Sequence, residues 1–124
     1  MEVKIVTEGH TGVVVRVRGS LNEKAPLKVY NLIDFNKLNP VPKALKLDSV
    51  VFAIQEKMGV ILWWRKERGS ELMLPLESRG RLDWEAVQSL QSGPDVTGVD
   101  MTVFGVNEVK QFVFVMDFTK LDHA

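Results

Sequence analysis

The side chains that could do chemistry in this chain are few and far apart. Its two histidines are His10, inside a turn signal, and His123, beside the last residue, and cysteine does not occur. A thiolate nucleophile, a disulfide framework and a cysteine-held zinc are therefore excluded. Two remote histidines do not make a transition-metal site either. Asp95, Asp100, Asp117 and Asp122 carry oxygen donors, but their spacing matches no calcium loop of alternating ligands. The glycines form neither a P-loop nor a strand-to-helix dinucleotide fingerprint, and a Gly-x-Ser-x-Gly elbow is missing. A glycosidase carboxylate pair leaves no fixed spacing, yet the chain is small and no cleft-forming insertion is evident. The sequence therefore reads as a non-enzyme, with no catalytic, cofactor-binding or metal-ligating residues, no cofactor and no small-molecule substrate.

What remains is contact chemistry. Interfaces favour Trp, Tyr and Arg, which bury much area at modest entropic cost. Trp84 lies in the longest irregular stretch, as a plug over an open sandwich end or as a contact residue. Tyr30, Arg79 and Arg81 qualify on the same grounds, so these four are the expected interface residues. Trp63 and Trp64 are adjacent and must face opposite ways on a strand. One belongs to the core and the other under a second layer or at an interface. A carbohydrate-binding module is an alternative these tryptophans allow, although it would need two exposed coplanar rings.

The elements that position these residues are strands. Leu45 to Glu56 and Gly59 to Lys66 are apolar on both parities, which predicts strands covered on both faces. Glu56-Lys57-Met58-Gly59 has the length of a short loop containing glycine, so the pair reads as a β-hairpin. Glu2 to Thr7 is a first strand. Val13 to Arg18 alternates, with Val13, Val15 and Val17 opposite Val14, Arg16 and Arg18. Leu27 to Phe35 alternates until Asn39-Pro40-Val41-Pro42 breaks it. Glu71 to Glu77 places Leu72, Leu74 and Leu76 on one face, and Pro75 confines that strand to an edge or a bulge. Asp83 to Gln91 is the one place for a helix of a turn or two, capped by Asp83. Val99 to Gly105 and Val109 to Leu121 follow, joined through Val106-Asn107-Glu108 as a second hairpin. In the last strand Phe112, Phe114, Met116 and Phe118 share a face. About eight strands at this spacing predict an all-β domain over residues 1–124, an antiparallel β-sandwich or jelly-roll-like barrel.

Composition narrows the partners. Sixteen Lys and Arg balance sixteen Asp and Glu in 124 residues, which argues against nucleic-acid binding. The densest basic cluster, Arg65-Lys66-Glu67-Arg68, reads as a solvated hairpin end. No apolar run approaches the ~20 residues of a membrane helix, so no membrane partner is expected. Met1-Glu-Val-Lys-Ile-Val lacks the apolar stretch of a signal peptide, which sets an expectation of synthesis in a cytoplasm.

An ordered set of segments carries a resemblance. Val13 to Gly19 runs Val-Val-Val-Arg-Val-Arg-Gly. Leu38-Asn-Pro-Val-Pro leads into Leu45-Lys-Leu-Asp-Ser and on to Ile61-Leu-Trp-Trp. Gly80-Arg-Leu-Asp-Trp, Thr97-Gly98-Val-Asp-Met-Thr-Val-Phe-Gly and Phe112-Val-Phe-Val-Met-Asp-Phe-Thr-Lys follow in turn. From Leu38 onward the chain resembles small virion structural proteins of tailed bacteriophages. Those proteins carry a Gly-x-Leu-Asp-aromatic signature, a Thr-Gly-x-x-x-x-Thr segment and a closing strand ending in lysine. It departs from them at Glu85-Ala-Val-Gln, in place of a small glycine-rich stretch, and in the more charged Arg65 to Gly69. The resemblance implies a capsid decoration or cement protein on the virion surface, made in the host cytoplasm. Its partner would be the major capsid protein and its own assembly a homo-oligomer, for which a trimer is the expectation. Another virion position, such as a head–tail connector, a tail component or a fibre base, is the alternative within that class.

Overall fold

In the computed structural model, residues 1–21, 28–83, 90–106 and 109–122 are described. Their strands are β1 (Glu2–Glu8), β2 (Gly12–Leu21), β3 (Tyr30–Asp34), β4 (Ala44–Ile54) and β5 (Gly59–Lys66). They continue as β6 (Ser70–Glu77), β7 (Arg79–Asp83), β8 (Leu90–Gln91), β9 (Val96–Phe104) and β10 (Lys110–Leu121). A 3-10 turn at Phe35–Lys37 follows β3, with the Asp34 carboxylate accepting from the Asn36 N–H. The expected all-β sandwich is what these strands build. One sheet, sheet A, runs β1-β2-β10-β4-β7 with β8 also on β4; the other, sheet B, runs β3-β9-β5-β6. All the pairings are antiparallel.

The core lies between the sheets, and β10 shows how it is filled. Its even positions Phe112, Phe114, Met116 and Phe118 are buried, as the alternation predicts. Each such side chain contributes roughly 1.5–3 kcal/mol by leaving water. Lys110 and Lys120 end the same inward row and are buried too. On β2, Val13, Val15 and Val17 face the same core. Trp64 of β5 meets Phe118 edge to face, with centroids 6.3 Å apart.

The two apolar parities of β4 have a different cause from the expected double cover. Phe118 pairs with Leu47 but Asp117 with Ser49, which leaves Asp48 as an extra residue, a β-bulge. Before the bulge Leu45 and Leu47 point inward; after it Val50 and Ile54 do, and Val51 is left 44% exposed. A similar shift in β6 buries Met73 and Leu74 and exposes Leu72, so Leu72 does not share the inward face with Leu74 and Leu76. In β3 the shift between Asn31 and Ile33 buries both Leu32 and Ile33. Pro75 lies in β6, the edge of its sheet, as its missing donor requires.

Neither predicted hairpin forms. β4 and β5 belong to different sheets, and so do β9 and β10. Each link is an arch that carries the chain across the core, and β6 to β7 is a third. Lys57 (φ 64°), Ser78 (φ 64°) and Gly105 (φ 76°) make the turn in each arch. The arches pack together: Ile54 N–H donates to the Ser78 carbonyl at 2.6 Å. A left-handed residue in a link of four residues (β4–β5) or five (β9–β10) suits an arch as well as a hairpin, so local sequence does not separate them. The true hairpins are β1–β2 and β5–β6, the latter closed by Gly69 at φ 85°. Of the segment Asp83 to Gln91 read as a helix, Asp83 ends β7 and Leu90–Gln91 form β8; residues 84–89 between them, and the Asn107-Glu108 link, lie outside the described residues.

Sheet B is tied together on its outer face. Arg65 Nε donates to Asp100 Oδ1 at 3.0 Å, and its Nη2 to the Ile33 carbonyl at 2.8 Å, which links β5, β9 and β3. Gly98 makes room for this clamp: a Cβ there would sit 2.3 Å from the Ile33 carbonyl and 2.6 Å from Arg65 Nη2. Gly98→Ala is expected to cost about 1–3 kcal/mol in urea unfolding. Gly9→Ala, where a Cβ meets nothing within 4 Å, should stay within about 0.5 kcal/mol. Equal midpoints for the two variants would contradict the clamp.

Candidate functional site

Cross-strand register places the outward residues of sheet A in rows. In one row Arg18 of β2 is opposite Val113 of β10, then Ala53 of β4, then Arg79 of β7. In the next, Arg16 is opposite Val115, then Val51, then Arg81. Each row thus has an arginine at both ends and two small apolar side chains between. Beyond them Val14, Asp117, Ser49 and Asp83 form a third row that turns acidic. An open groove of about 700 Å³ continues the first row toward the chain start, lined by Arg18, Ser20, Ala53, Gln111 and Val113 among others.

Charge on this face is only partly neutralised. Glu2 is shared between Arg16 at 3.2 Å and Arg18 at 3.0 Å, and the two guanidinium groups hold its carboxyl below the usual range. Arg81 Nε donates to Asp83 at 2.8 Å. Arg79 makes no ion pair among the described residues, and Lys4 flanks Arg16 on β1. Asp117 is pushed up by partial burial and by the nearby Asp48 carboxylate, against the pull of Arg81. Exposed ion pairs in water are worth little, so the exposed Arg18 can exchange its Glu2 pair for a partner's carboxylate at small cost.

Of the four predicted interface residues, the structure brings two together. Arg79 and Arg81 are exposed on β7, an edge of sheet A. Tyr30 is in the other sheet, half-buried at the start of β3, with Lys28 Nζ 5.1 Å from its ring centroid. Trp84 lies outside the described residues, as does His123. The arginines Arg16 and Arg18 and the valines Val51, Val113 and Val115 were not among the predicted contacts. For Arg16, Arg18, Val113 and Val115 the outward parity on β2 and β10 is the available signal; Val51 lies on β4 beyond the bulge, where parity alone does not tell the face.

Other sequence candidates are used within the fold. Trp64 is buried, and Trp63 is half-buried, its indole N–H donating to Thr102 Oγ1 at 2.9 Å. Neither ring forms an open sugar platform. The basic cluster at the β5–β6 turn is not uniformly solvated: Arg65 is engaged by Asp100, and Lys66 pairs with Glu71 at 3.1 Å. Burial outweighs Arg65 at Asp100 and raises its carboxyl above the usual value. Among the described residues no group of three or more metal-ligating side chains converges. None of the described helices is long and apolar enough to cross a membrane. The edges are open too: in β1, Ile5 is 44% and Val6 47% exposed.

No family model matches the chain, and no curated protein does. A similar solved structure is the acidic stable capsid structure of Helicobacter pylori bacteriophage KHP30. It is 17% identical over 82% of this chain and 93% of that one, with a TM-score of 0.38. A likeness of that degree leaves fold and role to be argued from the chain itself.

One ion pair carries a pH dependence. Lys120 Nζ, its side chain only 2% exposed, donates to Glu8 at 2.9 Å and to the Pro40 carbonyl at 3.0 Å. Glu8 also accepts the Asn39 N–H at 2.7 Å, and these two bonds, Lys120 first, lower its pKa from 4.5. A carboxyl with a lowered folded pKa stabilises the fold above its unfolded value. That contribution is lost as pH falls from 4.5 through the folded value. Asp100 and Asp117, both raised, act in the opposite sense. Lys120→Met is expected to lower stability at neutral pH by about 1–3 kcal/mol. It should also flatten the loss of the urea midpoint below pH 4.5. A slope identical to wild type would exclude the pair from the acid limb.

Proposed function

We propose that the chain is a structural protein of a tailed-phage virion, and within that class a decoration protein that binds the outside of the head and stabilises it. The observation that carries the reading is the arginine-framed valine face of sheet A, a surface with an apolar centre on a two-sheet body. The order of the sequence segments that resemble small virion structural proteins supports it. Those segments supply β2, β4, β5, β7, β9 and β10. Weak contacts of this kind gain strength by repetition on a lattice, where many copies engage at once. The major capsid protein is the partner on this reading, and the open β1 edge is the route to a homo-oligomer, a trimer matching a local threefold axis.

Quantitative mass spectrometry and immunogold microscopy of the source virus test this. Decoration requires label across the head and on the order of hundreds of copies per particle. About a dozen copies at the neck would move the chain to a connector position, and absence from every particle would overturn the virion reading.

The oligomer has its own test. Val6 has no register partner on β2, because the register shifts between Ile5 and Thr7. Val6→Pro should therefore leave the monomer folded by circular dichroism while it blocks pairing at the β1 edge. Light scattering should then read a monomer mass where wild type reads a multiple. Identical masses for the two proteins would reject pairing through β1.

A further inference from the structure

The arginine frame is specific enough to describe what it takes. The columns on β2 and β7 are three strand spacings apart, about 14 Å, and the two rows are about 7 Å apart. Val113, Val115, Val51 and Ala53 fill the rectangle whose corners are the backbone positions of the four arginines. An extended chain rises about 3.4 Å per residue, so carboxylates at positions i and i+4 on one side lie about 14 Å apart. The residue at i+2 then points at the same surface midway between them. We propose that this face docks an extended, acidic stretch of a partner protein in which two carboxylates bracket an apolar side chain, as in Glu-x-Val-x-Glu. This rests on the virion reading only for the partner's identity as capsid protein; the chemistry of the occupant comes from the face.

Two other occupants fit less well. A second copy stacked face to face with its valines in register sets arginine against arginine, because both outer columns are cationic. A single-stranded nucleic acid would satisfy the guanidinium groups, but valines offer no ring for base stacking. Bidentate guanidinium–carboxylate pairing over a small apolar floor favours the acidic peptide.

The test is an amide-resolved NMR titration of the full chain with a capped peptide carrying Glu-Thr-Val-Thr-Glu. Shifts are expected at Val51, Ala53, Val113 and Val115. Arg79→Glu combined with Arg81→Glu should weaken binding about tenfold or more, and so should Arg18→Glu on the opposite column. Each variant's unperturbed spectrum away from the face checks its fold. No shifts up to millimolar peptide, shifts confined to sheet B, or equal binding by a Gln-Thr-Val-Thr-Gln peptide overturn the proposal. Tighter binding of oligothymidylate at the same amides overturns it in favour of nucleic acid. Binding to purified heads separates the two readings. Heads that take wild type and the Arg79→Glu/Arg81→Glu variant equally remove this face from the contact and leave decoration standing. A face that binds peptide in a protein that binds no head keeps the site and removes the decoration role.

Discussion

The inward row of β10 is the constraint on which the rest of the structure depends. It runs Lys110, Phe112, Phe114, Met116, Phe118, Lys120, and all six are buried. A slip of one residue would turn four large apolar side chains into water and Val113, Val115 and Asp117 into the core, so the register has no near competitor. β2 and β4 both pair along the length of this strand. The lysines close the row at either end. Lys110 Nζ reaches the Glu56 carbonyl in the β4–β5 arch at 3.1 Å, and Lys120 reaches Glu8 and Pro40 at the other end. Both bury long apolar stems and finish on oxygen, which is how a charged residue can keep an inward position.

The bulge at Asp48 follows from that row. β4 offers Leu45 and Leu47 on one parity and Val50 and Ile54 on the other, and β10 allows only one inward parity. One residue must drop out of register between them, and Asp48 is the one. Its carboxylate is satisfied outside the core by the Thr119 hydroxyl and by Lys46 at 3.4 Å. The sequence signal of two apolar parities was therefore sound, but it has two physical origins, a double cover or a bulge. Only the partner strand decides between them.

That distinction marks what was legible. Strict alternation in β2 and β10 and the opposite faces of Trp63 and Trp64 depend on period two alone, the edge position of the Pro75 strand on proline's missing donor, and each is readable. Arch against hairpin depends on which sheet a strand joins. The links at Lys57 and Gly105 look the same locally in either case, so the topology was misread there. The candidate face shows the same limit. Arg79 and Arg81 were identifiable by residue type, and Val113 and Val115 by outward parity. That β10 lies beside β4, and β4 beside β7, is a long-range fact. Tyr30, chosen on the same residue-type argument, went to the opposite sheet.

The two outer faces of the sandwich spend their polar groups differently, and this favours sheet A as the contact surface. On sheet B, Arg65 is committed to Asp100 and the Ile33 carbonyl, and the Trp63 indole to Thr102. A partner there would have to break internal bonds to gain new ones, with little net return. On sheet A the pairs that Arg16, Arg18 and Arg81 make to Glu2 and Asp83 lie at the surface, and Arg79 makes no ion pair among the described residues. Exchanging those pairs for a partner's carboxylates costs little, and covering the valine floor adds apolar burial. The floor belongs to central strands whose opposite faces are fixed by the core, so it arrives preorganised and binding need not order it. A rigid apolar centre with loosely held cations at its corners is thus better suited to recognition than a surface already satisfied by itself.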